Sequence, residues 1–357
     1  MPATPALRAG AVAALTAVVA LGAACSSGSS TDAAPSTTAG TGSTAGAATG
    51  STAAPTGTTV SETCTIDAAV PRGEVLTQTF PHDGLDRQYM ELVPTGAGDQ
   101  RLPLVIDIHG YAEGMGVHVA HTRMDATAEQ EGFLYVSPDG TGEPRYWNFV
   151  GADQGADDLG YLSALIDHEV AARCADPRRV YVTGLSNGAF MSSAIGCVLA
   201  DKVAAIGPVA GLTRLDACDP ARPIPVMAFH GGEDTYVLLE GGLGADANEL
   251  PNVSQLLDLA GQIEFPSVRD SAAAFAADNE CATGPTTTTP VEGVEQITWT
   301  DCAEGADVVL YITPQSGHVW PGSEFEATIS SVTGTPNDKL DANALLWEFF
   351  QRFSLPA

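Results

Sequence analysis

Residues 179–199 read RVYVTGLSNGAFMSSAIGCVL, and the fold turns on this stretch. Arg179-Val180-Tyr181-Val182-Thr183 is β-branched and apolar, as a buried strand is, and Ala189 to Leu199 has the composition of a helix. Gly184-Leu185-Ser186-Asn187-Gly188 lies between them. A strand that turns sharply into a helix needs small residues on both sides of the turn, because the two backbones approach closely there. In that context the Gly-x-Ser-x-Gly pattern predicts a nucleophile elbow, a strained turn that displays a serine at the end of a parallel strand.

Outward from the elbow the same alternation continues. Leu104 to Ile108, Phe133 to Ser137, Val180 to Thr183, Ala204 to Val209, Val226 to Phe229 and Val308 to Ile312 are short, nearly all-apolar runs. Strands of this kind suit a parallel sheet covered on both faces. Between them Asp157 to Arg173 sets Leu159, Leu162, Leu165, Ile166 and Val170 on one helical stripe, and Asn187 to Leu199, Val268 to Asn279 and Asp341 to Phe353 behave similarly. The pattern predicts an α/β fold with a doubly wound, mostly parallel sheet. Val75 to Phe80 and Arg87 to Val93 flank His82-Asp83-Gly84, which predicts an antiparallel hairpin at its start. Residues 64–357 read as one domain, with 239–267, rich in Gly, Leu and Asn, as an excursion over the sheet's edge.

The N-terminal region is of another kind. An Ala/Val/Leu run from Leu7 to Ala24 follows Arg8, the one basic residue at the start, and predicts a signal peptide over residues 1–24. Leu21-Gly22-Ala23-Ala24-Cys25 resembles a bacterial lipobox, with Leu21 one place further from the cysteine than usual, so Cys25 is expected to carry a lipid anchor. Residues 25–60 are almost wholly Ser, Thr, Gly, Ala and Pro and read as a disordered tether. The protein is expected to be secreted and held on the outer face of a bacterial membrane through that lipid alone.

Composition agrees with export. Against 15 Lys and Arg the chain has 44 Asp and Glu, a formal charge of −29. That balance excludes nucleic acid as a partner, since a phosphate backbone is bound through clustered cations. Of seven Cys, six remain once Cys25 is set aside, an even number that suits disulfides in an oxidising compartment. Short separations favour Cys197 with Cys218 and Cys281 with Cys302, leaving Cys64 with Cys174, although six cysteines allow about 15 pairings. No Cys-x-x-Cys or His/Cys cluster suggests a metal, and no cofactor is implied.

An elbow serine needs a base and an orienting acid, in the chain order serine, acid, histidine. The strand Pro225 to Phe229 leads into His230-Gly231-Gly232-Glu233-Asp234, and the last strand leads into Pro314-Gln315-Ser316-Gly317-His318. Ser186, Asp234 and His318 thus fall at three strand ends in the required order. Glu233 competes with Asp234, and His230 reads as scaffold. A tetrahedral intermediate also needs two N–H donors; Asn187, after the serine, and Tyr111, in the His109-Gly110-Tyr111 loop, are expected to supply them. His109 reads as a loop brace, and His82, His118, His121 and His168 as surface or loop residues.

Taken with Tyr146-Trp147-Asn148, Asp157-Asp158, Gly317-His318-Val319-Trp320-Pro321-Gly322 and Leu346-Trp347-Glu348-Phe349-Phe350, these motifs resemble the polyhydroxybutyrate depolymerase and feruloyl esterase branch of the α/β-hydrolases over most of residues 74–353. The resemblance implies a Ser186-His318-Asp234 triad acting on a carboxylic ester, with cysteine pairs where Cys197/Cys218 and Cys281/Cys302 stand. Glu233, where a small residue is usual, and the long 239–267 segment depart from the pattern at the rim. Trp147 and Trp320 are expected to line the substrate pocket of a monomer. The substrate expected is a polyester, or a feruloyl or acetyl ester of a carbohydrate, with soluble oligomers favoured because no stretch reads as an added polymer-binding domain. The rival reading is a lipoprotein that binds a surface ligand on an esterase fold without turning it over.

Overall fold

In the computed structural model ten strands form one mixed sheet; residues 61–356 are described, apart from 62, 216–217, 255–256, 259–260 and 262–264. The leader, Cys25 and the 25–60 segment lie outside the described residues. Strands β1 (Val75–His82) and β2 (Leu85–Leu92) pair antiparallel. Asp83 and Gly84 between them both take positive φ, as a two-residue turn of this type requires. Then follow β3 (Leu102–Ile108), β4 (Leu134–Pro138), β5 (Ala175–Leu185), β6 (Ala205–Val209), β7 (Val226–Gly231), β8 (Thr283–Thr288), β9 (Glu295–Thr300) and β10 (Val308–Thr313). The spatial order is β1-β2-β4-β3-β5-β6-β7-β10-β9-β8, with β4, β3, β5, β6, β7 and β10 mutually parallel.

Two cores lie on the two faces. Leu104, Ile106 and Ile108 of β3, Val180 and Val182 of β5, Val226 and Ala228 of β7 and Leu310 of β10 point into one. Val105, Tyr181, Met227, Phe229, Val309 and Tyr311, one residue out of step, point into the other. A strand that feeds both faces cannot alternate apolar with polar, which is why the parallel strands are continuous apolar runs. The first face is covered by α3 (Asp158–Ala172), α4 (Asn187–Val198) and α5 (Val268–Asp278), and the second by α1 (Met115–Thr122), α2 (Met124–Glu131) and α7 (Ala342–Phe350); α6 (Glu326–Thr333) follows β10. Side-chain caps start three of the helices: Asp157 accepts from Gly160 N–H, Ser267 from Asp270 N–H and Asp341 from Ala344 N–H, each at 3.0 Å.

The hairpin β8–β9 was not legible in the sequence. All of β8 is exposed, and its Thr-rich run has strand propensity without an apolar face; β9 buries only Ile297 and Trp299. Disulfides join Cys64 to Cys174, Cys197 to Cys218 and Cys281 to Cys302, the pairing that the short separations favoured.

Candidate active site

At the end of β5, Ser186 takes φ 58° and ψ −118°, a backbone conformation that a residue with a Cβ keeps only when its surroundings hold it. Its N–H donates to the Val209 carbonyl at 2.9 Å, and its carbonyl accepts from Ala189 and Phe190 at 2.9 and 3.0 Å. A Cβ on Gly184 would lie 2.6 Å from the Gly188 carbonyl oxygen and 2.7 Å from that of Ile108, and one on Gly188 would collide with the Ile108 and His109 carbonyl oxygens. The motif's glycines are therefore required by the neighbouring strand β3 as well as by the turn.

The loops after β7 and β10 meet at the same end of the parallel sheet as the elbow. A Cβ on Gly231 would strike the backbone of Ser316 and Gly317, so the acid loop and the histidine loop touch main chain to main chain. His318 Nδ1 lies 2.7 Å from Asp234 Oδ2. The other oxygen, Oδ1, accepts the N–H groups of Tyr236 and Val237 at 2.9 Å each. Burial of Asp234 alone would raise its pKa, but the His318 charge and hydrogen bond outweigh it and hold the carboxyl below its ordinary value. For His318 burial favours the neutral ring, yet Asp234 dominates and the pKa rises above 6.5. Tyr236 packs on His318 with ring centroids 5.1 Å apart.

The loop after β3 completes the cluster. A Cβ on Gly110 would come 3.5 Å from the Ser186 Cβ, so this loop lies directly against the serine. Among the described residues, neither the N–H of Tyr111 nor that of Asn187 is given to a protein acceptor. The Asn187 side chain clamps the Trp147 backbone, accepting its N–H at 2.7 Å and donating to its carbonyl at 3.1 Å. His109 is fully buried and accepts the Gly140 N–H at 2.9 Å on Nε2, as a brace would. His230 Nε2 donates to the Val237 carbonyl at 2.9 Å, and burial lowers its pKa, so it is a neutral scaffold ring. Glu233 is exposed and lies outside the cluster.

Several expectations are corrected. Trp147 and Trp320 are 0% and 1% exposed, so neither indole presents an open face to a substrate. The Trp147 indole N–H donates to the His109 carbonyl at 3.1 Å, and that of Trp320 to Asn343 Oδ1 at 2.9 Å; both are braces behind the loops. The described residues of the segment 239–267 do not lie over the sheet's edge. Tyr111 donates its hydroxyl to the Pro251 carbonyl at 2.8 Å, and Phe265 packs 5.1 Å from Phe190 in the first turn of α4, which sets Pro251 and Phe265 against the loop after β3 and the helix after the elbow.

His118 and His121 are likewise buried, at 0% and 3% exposed, rather than on the surface. Each contacts Glu113 through Nδ1, at 3.0 and 2.7 Å, and their Nε2 atoms meet Asp107 Oδ1 at 2.8 Å and Glu326 Oε1 at 2.7 Å. Hydrophobic periodicity could not find this group, because its buried helix positions are polar; the His118/His121 spacing on one helix face was the only signal.

Residues 87–275, more than half of the chain, match the family model described as Esterase PHB depolymerase, and the chain belongs to that family. Feruloyl esterase B of Piromyces equi is 27% identical over 278 residues, covering 76% of this chain and 46% of that protein. Poly(3-hydroxyalkanoate) depolymerase C of Paucimonas lemoignei is 26% identical over 223 residues, covering 53% and 52%. The chain thus spans about half the length of these two relatives. An acetyl xylan esterase from Aspergillus awamori superimposes with a TM-score of 0.52 at 15% identity, over 72% of this chain and 99% of that one. The shared architecture is the α/β-hydrolase fold.

Proposed function

We propose that the protein is an exported serine hydrolase of carboxylic esters, with Ser186 as nucleophile, His318 as general base and Asp234 as the residue that orients it. The observation that carries the reading is the 2.7 Å contact of His318 Nδ1 with Asp234, on loops that leave β10 and β7 at the same end of the parallel sheet where β5 turns at Ser186. With Nδ1–H committed to Asp234, the free ring nitrogen Nε2 keeps its lone pair and takes the Ser186 proton as Oγ attacks the ester carbonyl. The N–H groups of Asn187 and Tyr111 stabilise the resulting oxyanion. Nε2–H then protonates the leaving alcohol, and water, deprotonated by the same nitrogen, hydrolyses the acyl-enzyme.

The net charge of −29 favours uncharged esters over polyanions, and three disulfides suit the oxidising surroundings of an exported protein. Feruloyl or acetyl esters of carbohydrates and hydroxyalkanoate oligomers are the substrate classes that the named relatives bring to this chain. Tyr236 and the 239–267 segment, in place of the two tryptophans, form the rim that chooses among them. Ser186→Ala should abolish hydrolysis of short-chain p-nitrophenyl esters; a wild-type rate would remove the assignment. Ferulate release from a feruloylated sugar, set against 3-hydroxybutyrate release from its oligomers, separates the substrate classes.

A further inference from the structure

Five ionisable side chains form a continuous row behind the elbow: Asp107 on β3, His118 and His121 on α1 and Glu326 at the start of α6, all buried, and Glu113 in the loop before α1, partly buried. Carboxylate and imidazole alternate along it, and every ring nitrogen is within 3.0 Å of a carboxylate oxygen. A neutral ring would point a lone pair at one of those oxygens, so both histidines sit there as imidazoliums. Burial opposes that charge, but the flanking carboxylates outweigh it, raising His118 to about 10 and His121 to about 9. The Glu113 carboxylate lies between the two rings, one oxygen on each, in the place that a shared cation would otherwise need.

The row reaches backbone donors in two loops that border the candidate site. Glu113 Oε2 accepts the Gly110 N–H at 2.8 Å, next to Tyr111 and against Ser186. Glu326 Oε1 accepts the Trp320 N–H at 2.6 Å, and its Oε2 accepts the Thr333 hydroxyl at 3.0 Å, while the Thr333 carbonyl accepts the His318 N–H at 2.7 Å. We propose that Glu113 is a positioning residue for the oxyanion loop, and that the chain Asp107–His118–Glu113–His121–Glu326 locks that loop in register with the loop of His318. The inference rests on the esterase reading and adds to it the residues that hold its two halves together. Removing one partner from such a row leaves an uncompensated charge and is strongly destabilising, and here the carboxylates at Glu113 and Glu326 also accept donors from the two loops.

The test is Glu113→Gln, whose amide must set an N–H group against an imidazolium N–H. Expected is a fall in kcat of roughly tenfold to a hundredfold with KM little changed, since misplacement by about 1 Å can cost that much. Amide hydrogen exchange should quicken at residues 109–112 and 318–320 and not in β5 or β6. A second pair of variants reads the electrostatics at His318, which is faced by Asp234 and His230 from β7 and its loop, Tyr236, Glu326 from α6 and His121 from α1. Loss of the His121 cation in His121→Gln should move the acid limb of kcat/KM to higher pH, and loss of the Glu326 anion in Glu326→Gln should move it lower. If Glu113→Gln does not fold, Glu326→Gln carries the same exchange readout. Unchanged exchange in both segments with kcat within about twofold, or one equivalent of tightly bound zinc in the purified protein, overturns the proposal. The exchange result stands whether or not Ser186→Ala abolishes hydrolysis, so the two readings fail separately.

Discussion

Asp234→Asn isolates the orienting role of the acid with the least change of shape. In the wild type Oδ1 accepts two backbone N–H groups, from Tyr236 and Val237, and Oδ2 faces His318 Nδ1 at 2.7 Å. An asparagine can satisfy those two donors only by keeping its carbonyl oxygen where Oδ1 stands. Its NH2 group must therefore face His318, which has to answer with a lone pair on Nδ1. The proton moves to Nε2, and the nitrogen that should accept the Ser186 proton becomes a donor. A base in the wrong tautomer costs about 10⁴ in kcat in the serine protease example, equivalent to ~5.5 kcal/mol at the transition state. The assay is steady-state hydrolysis of p-nitrophenyl butyrate from pH 5 to 9, with circular dichroism to confirm folding. A folded Asp234→Asn retaining activity within about tenfold of wild type would refute the reasoning.

Further outcomes follow from the same contacts. Because His318 titrates above 6.5 and acts only when neutral, kcat/KM should fall as pH drops through that raised value. Glu169 is pushed up to about 8, by burial first and then by Glu91. Its folded pKa exceeds its unfolded one, so its contribution is full below about 4.5 and is lost as pH rises through 8. Glu169→Gln should flatten the decline in unfolding free energy between pH 5 and 9, by up to a few kcal/mol at the alkaline end, measured by chemical denaturation; an unaltered decline would contradict the assignment. Gly188→Ala, whose methyl would meet the Ile108 carbonyl, should cost several kcal/mol or prevent folding in chemical denaturation. Replacing Cys64 and Cys174 together by Ala should lower stability by about 2–5 kcal/mol, since their bridge spans 110 residues.

The parallel strands, the elbow and the order of Ser186, Asp234 and His318 could be read from the chain because each leaves a local mark: an apolar run, a pair of glycines, a polar residue just past a strand. Helices α1 and α6 left none. The buried positions of α1 are His118, His121 and Thr122, and the one buried residue of α6 is Glu326. A test for apolar periodicity passes over such faces, so both helices of the ion chain were missed, as were α2 and the β8–β9 hairpin. Trp147 and Trp320 misled for the converse reason. An aromatic residue near a motif looks like a substrate platform, but both indoles hold backbone behind the loops. What placed the described part of the 239–267 segment is also non-local: a hydroxyl on Tyr111 and a ring on Phe190, 140 and 75 residues from their partners Pro251 and Phe265.

The most direct measurement is covalent trapping. After brief exposure to a fluorophosphonate, peptide mass spectrometry should find one adduct, on the peptide bearing Ser186, absent in Ser186→Ala and formed far more slowly in His318→Asn. Labelling at another residue, or an unlabelled Ser186 in protein that hydrolyses esters, would contradict the central claim.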